Sequence, residues 1–87
     1  MFTGIIETLG KVTTLETHGG NLDITIESSL TPELKIDQSI AHNGVCLTVV
    51  NLTDTTYTVT AIAETLNKTN LDSLEINDSV NLGRAMI

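Results

Sequence analysis

Apolar and polar residues alternate with a period of two along most of the chain, most cleanly over residues 21–27. There Leu22, Ile24 and Ile26 share one face, with acids and threonine on the other, as in a strand with one side on a core. Residues 4–15 read as a long strand in which Gly10 predicts a bulge or a bend. His18, Gly19 and Gly20 form the loop between these two runs. Residues 45–50 and 56–63 predict a further antiparallel pair joined through residues 51–55, and residues 79–87 a last strand. Two short helical pieces interrupt the sheet. Thr31 can cap a single turn with Pro32 at its first position and Glu33 favouring the dipole, and residues 64–68 predict a second piece ending near Asn70.

Residues 34–40 (LKIDQSI) and 74–80 (LEINDSV) match in class at almost every position. Each copy reads as an apolar anchor, an Asp or Asn turn, and a serine leading into a strand. The same helix–turn–strand device is thus expected twice in one small domain, on a repeat too short for a solenoid. Six or so short strands without crossover helices predict an all-β fold, a small closed antiparallel barrel, because closure removes exposed edges.

Composition agrees with one small folded domain. Of 87 residues, 40% are hydrophobic and only 2% aromatic, so Val, Ile and Leu must fill the core. Four basic against eleven acidic residues give a net charge of −7. The bases Lys11, Lys35, Lys68 and Arg84 are scattered, which leaves no electrostatic footprint for nucleic acid or an anionic membrane. No apolar run approaches the roughly 20 residues of a membrane span. The opening MFTGIIETLG lacks the basic region and cleavage site of a signal peptide, and a lone cysteine suits a reducing cytoplasm. Two distant histidines and one cysteine do not make a zinc site, and no glycine-rich phosphate loop is present. The eleven acids read mostly as a solvated face.

The stretch AHNGVCLTV, residues 41–49, concentrates the candidate chemistry. Asn43-Gly44 is a strong two-residue hairpin signal, because both residues take positive φ at low cost. Beyond it, Val45, Leu47 and Val49 should face the core, and Cys46, Thr48 and Val50 should face outward. Cysteine is usually a small buried hydrophobe, whereas a reactive thiol needs nearby positive charge or a helix N-terminus. His42 is close enough in sequence to act as a base or simply to support the turn, and both readings stay open.

The combination of MFTGI at the start, AHNG followed by CLTV at residues 46–49, ETL at residues 64–66 and TNL at residues 69–71 resembles riboflavin synthase, over almost the whole chain. The resemblance implies a six-stranded Greek-key barrel with one or two short helical turns. Residues 1–87 would be a single lumazine-binding barrel, the N-terminal half of a two-barrel enzyme. It implies a reaction in which one 6,7-dimethyl-8-ribityllumazine gives a four-carbon unit to another. The products are riboflavin and a ribitylamino-pyrimidinedione, and no cofactor or metal takes part. Carried over by position, Cys46, Ser39 and Phe2 would lie nearest the chemistry. Thr3, Thr48, Thr60, Ala61, Ile62 and Thr65 would bind substrate, the segment from Thr60 to Ile62 through its main chain. His42 stays a turn-support residue. Many relatives carry an aspartate where Thr60 stands, so contacts to the ribityl chain can differ here, and Val45 replaces a second cysteine found in some. The isolated domain is expected to bind riboflavin or the lumazine with little turnover and to pair as a homodimer. The full-length chain is expected to be a cytoplasmic homotrimer. A non-catalytic flavin- or lumazine-binding barrel is the alternative.

Overall fold

The alternation closes into a barrel. In the computed structural model, which describes residues 8–69 and 71–84 without the side chains of Asp72 and Arg84, six strands follow in chain order. They are β1 (Thr8–His18), β2 (Asn21–Glu27), β3 (Ser39–His42), β4 (Val45–Leu52), β5 (Thr56–Ala61) and β6 (Ser79–Arg84). The spatial order β1-β2-β5-β4-β3-β6 returns to β1, and every neighbouring pair is antiparallel. Among the described residues no edge strand is left over, which answers the hazard that edges pose in a small sheet. The short helix α1 (Ala63–Lys68) follows β5, and single 3-10 turns at Thr31–Glu33 and Leu71–Ser73 precede β3 and β6.

The β1–β2 and β3–β4 hairpins turn at the glycine-containing sites that the sequence marked. Gly19 and Gly20 have φ of 55° and 90°, and Asn43 and Gly44 have φ of 51° and 89°. Two successive positive φ values suit the mirror-image turn whose twist matches the flanking strands. Because both residues of the first turn are glycine, β1 keeps pairing to His18 opposite Asn21.

Gly10 is not the bulge. The register shift in β1 lies between Val12 and Thr14. A Cβ at Gly10 would meet Ile26 Cγ2 at 2.5 Å and Leu82 Cδ1 at 2.7 Å, so this glycine lets two core side chains cross the strand closely.

The internal echo is structural. Asp37 (φ 74°) and Asn77 (φ 79°) take the same left-handed conformation. The Asp37 N–H donates to the Val49 carbonyl and the Asn77 N–H to the Val12 carbonyl, both at 2.8 Å. In return Val49 N–H donates to Gln38 O and Val12 N–H to Asp78 O, both at 2.9 Å. Even the side-chain clasp recurs, from Lys35 N–H to Gln38 Oε1 (3.0 Å) and from Glu75 N–H to Asp78 Oδ2 (2.8 Å). Each device docks where its partner strand shifts register, after Val12 in β1 and after Val49 in β4. The barrel therefore contains a pseudo-two-fold relation between its halves.

Among the described residues the core is aliphatic with one aromatic. Val12, Ile24, Ile26, Ile40, Leu47, Val49, Val59, Val80 and Leu82 are buried around Tyr57. Thr31 begins its 3-10 turn instead of capping it. Leu30 holds the cap position, and the Thr31 hydroxyl donates to the Thr55 carbonyl at 3.0 Å, tying the turn to β5's lead-in. The beginning of the long N-terminal strand, the end of the second helical piece at Asn70, and residues 85–87 lie outside the described residues.

Candidate functional site

The β3–β4 hairpin sets one bank of the site. Its register pairs His42 with Val45, Ala41 with Cys46, Ile40 with Leu47 and Ser39 with Thr48. Leu47 and Val49 are buried and Val45 half-buried, whereas Cys46, Thr48 and Val50 are exposed, as alternation requires. Ser39 is exposed directly opposite Thr48. Ser39, Cys46 and Thr48 therefore form one outward patch, and Cys46 carries a free thiol.

The opposite bank comes from β5 and α1. Val59 and Ala61 point inward and are fully buried, and Thr60 points outward. The β4–β5 register runs from Leu52↔Tyr57 to Val49↔Val59 and stops there, short of Thr48 and Thr60. Beyond that point β4 pairs with β3 alone, and β5 ends at Ala61. Ile62, extended and half exposed, leads into α1, where Thr65 is half-buried. The two strands thus part between Cys46 and Thr48 on one side and Thr60, Ile62 and Thr65 on the other. Ala61 offers only main chain, since its side chain belongs to the core. The Ile62 carbonyl already accepts the Leu66 N–H at 3.0 Å. Phe2 and Thr3 lie outside the described residues.

The pseudo-two-fold mate of this patch differs in chemistry. Matching the two hydrogen-bonded devices places Lys11 where Thr48 stands, Leu9 where Cys46 stands and Glu27 where Thr60 stands. At these three positions the mate carries a base, an aliphatic side chain and an acid in place of hydroxyl and thiol groups.

A cavity of about 280 Å³ lies beside the parted strands, lined by Asn43, Val45, Lys68, Thr69 and Leu71. Val45 adjoins Cys46 in β4, and the Thr69 hydroxyl donates to the Thr65 carbonyl at 2.8 Å, so the cavity borders the candidate patch without containing it. Lys68 is engaged by Glu64 at 2.9 Å along α1.

Two contacts were not legible from pattern. His42 is buried, with Nδ1 2.9 Å from the Ile40 carbonyl and Nε2 2.9 Å from the Tyr57 hydroxyl. A carbonyl can only accept, so Nδ1 carries the proton and Nε2 accepts the phenol O–H. Burial lowers the His42 pKa from 6.5 to about 4 and pushes the Tyr57 phenol up. His42 faces the core while Cys46 faces outward, so the pair does not form a thiol–imidazole couple. The second contact concerns Asp23, which is not merely a solvated acid. Thr60 Oγ1 donates to Asp23 Oδ1 at 2.7 Å, and His18 Nε2 sits 3.3 Å from Asp23 Oδ2 and 3.0 Å from Glu16 Oε1. The signal available was register: Asp23 stands opposite Thr60, and Glu16 opposite Asp23.

Among the described residues no three of His, Cys, Asp and Glu converge to hold a metal ion, and no helix is long and apolar enough to cross a membrane.

Comparison with known proteins places this geometry. Residues 3–85 match the family described as the lumazine binding domain. Riboflavin synthase of Bacillus amyloliquefaciens is 40% identical over 87 residues, covering 99% of this chain and 40% of that protein. The Mycobacterium bovis riboflavin synthase is 46% identical over 98% of this chain and 43% of its own length, so the chain spans less than half of these relatives. The crystal structure of LumP complexed with 6,7-dimethyl-8-(1'-D-ribityl) lumazine superposes with a TM-score of 0.89 at 22% identity, over 100% of this chain and 49% of that one. LumP complexed with riboflavin gives 0.88 at 23% identity, over 97% and 46%. With a closed six-stranded barrel and a family match across nearly all its length, the chain belongs to the lumazine binding domain family.

Proposed function

We propose that the chain is the N-terminal barrel of a riboflavin synthase and binds 6,7-dimethyl-8-ribityllumazine or riboflavin where β4 and β5 part. The observation that carries this reading is the outward row of Ser39, Thr48 and Thr60 beside Cys46, at the place where the β4–β5 register stops. A flat heterocycle needs an apolar wall and a few polar groups that fix its orientation, and exposed Ile62 and Val50 beside these hydroxyls supply both. Thr48 and Thr65 are ring or ribityl hydrogen-bonding groups, and the main chain from Thr60 to Ile62 meets the polar ring edge.

In the complete reaction two lumazines are held face to face, and one gives a four-carbon unit to the other. The substrate ring supplies an acidic methyl group and an electrophilic carbon, so the protein positions the rings and manages protons. Ser39 and Cys46 are the groups nearest that chemistry. One barrel offers one ring site. The chain spans only about 40% of its riboflavin synthase relatives, so the 87-residue domain binds ligand with little or no turnover. In the cell the reading implies a cytoplasmic enzyme, trimeric when full length.

Titration with riboflavin checks the binding step, because bound flavin changes its fluorescence and raises the melting temperature of the chain. Unchanged signals in both would overturn the reading. Incubation with the lumazine should yield almost no riboflavin, and turnover near that of a two-barrel enzyme would contradict the division of labour.

A further inference from the structure

We propose that Asp23 is a specificity-determining residue: with Thr60 it accepts the hydroxyls of a neutral polyol tail and rejects a tail that ends in phosphate. This rests on the binding site proposed above. Across the outer face of the barrel, register aligns Thr60 of β5, Asp23 of β2 and Glu16 of β1 in one transverse row, and on the other bank it sets Ser39 of β3 opposite Thr48 of β4. Neighbouring strands lie ~4.8 Å apart, so a ring seated over Cys46 and Thr48 sends its tail along Thr60 toward Asp23.

The hydrogen bonds in this row have a direction. Thr60 spends its one donor on Asp23 Oδ1, at 2.7 Å, which leaves its oxygen as an acceptor toward the site. Asp23 is an acceptor by nature, and its second oxygen faces His18 Nε2 at 3.3 Å. That same nitrogen is shared with Glu16 Oε1 at 3.0 Å, so the His18 donor is already committed to carboxylates. The far end of the row therefore presents acceptors and negative charge. Hydroxyls of a ribityl chain can donate to every one of these atoms. A terminal phosphate brings only acceptors and a charge of roughly −1.5 to −2 at neutral pH. Asp23 is partly solvent-exposed (30%), so screening moderates the repulsion. The expected discrimination is about tenfold, near the scale of a unit-charge repulsion a few ångströms apart when water screens it.

The test measures dissociation constants of the 87-residue chain for riboflavin, flavin mononucleotide and lumichrome, the ring without a tail, by fluorescence. The unaltered chain should prefer riboflavin to flavin mononucleotide by about tenfold. Asp23→Asn should narrow that ratio to about threefold or less, by weakening riboflavin and relieving the phosphate, with lumichrome affinity unchanged. Glu16→Gln, which leaves the Thr60–Asp23 bond in place, should narrow the ratio partway and serves if Asp23→Asn does not fold. Equal affinity for the two flavins in the unaltered chain, or an unchanged ratio in both variants, overturns the proposal. So does a loss of lumichrome binding in step with riboflavin, because a merely structural role would weaken all ligands together. If the unaltered chain binds none of the three, the binding site itself is refuted; if it binds riboflavin and lumichrome but shows no ratio effect, only the role of Asp23 falls.

Discussion

Burial keeps the His42 imidazole neutral down to a pH of about 4, against 6.5 for the group in water. Between those values the unfolded chain takes up a proton that the folded chain refuses, so stability rises with pH across the window. The full contribution is present above pH 6.5 and is lost as pH falls toward 4, with an upper size of about 3 kcal/mol. Urea unfolding at pH 7.5 and at pH 5 should show this loss, and His42→Gln should flatten the dependence. A His42→Gln chain with the same slope would assign it to other groups. At Cys46 the expectation is opposite in kind. The thiol is exposed, so Cys46→Ser should leave the melting temperature within a few degrees, yet it should change riboflavin affinity severalfold. A large drop in melting temperature would instead make Cys46 a packing residue. Sequence alternation was sufficient to turn Cys46 outward. It could not place His42, because the decisive partner, Tyr57, is fifteen positions away on a strand that does not adjoin β3.

The repeated turn is the most informative element. In both copies a residue with positive φ swings the chain from a 3-10 turn into a strand and aims its N–H at the partner strand. Asp and Asn tolerate this conformation better than most residues with a Cβ, which is why the two copies agree in class at that position. Asp37→Ala and Asn77→Ala should each destabilise the fold by about 1 kcal/mol and by similar amounts. Urea unfolding measures both, and a clear inequality would show that the two docks are not energetically equivalent. The pattern revealed the device from seven residues. It did not reveal that each dock coincides with a register shift, since a shift is a relation between two strands. Gly10 shows the same limit. A glycine within a strand signals something unusual, but whether a bulge or a close crossing is decided by Ile26 and Leu82 from other strands.

At the scale of the whole molecule, exposed apolar residues and charge act against each other. Val50 and Ile62, 49% and 50% exposed, flank the candidate site, while the net charge of −7 opposes self-association. The homodimer expected for the isolated domain should therefore tighten as salt screens that repulsion, and Val50→Asp should loosen it. Sedimentation equilibrium at low and high ionic strength checks both, and a monomer under all conditions would sink the pairing. The barrel's closure itself was predictable from short alternating strands with no crossover helices.

Local chemistry was enough to specify strands, hairpin turns, the inward aliphatic set and the outward face of β4, because each depends on neighbours two to four residues apart. Folding alone decided which outward residues meet. Closure brings β5 between β2 and β4, so Thr60 gains Asp23 on one side and turns its other side toward the strand that carries Thr48. A hydroxyl from β5 acquires a carboxylate from β2 only when the register is set, and register is fixed by core packing on the opposite face of the same strands.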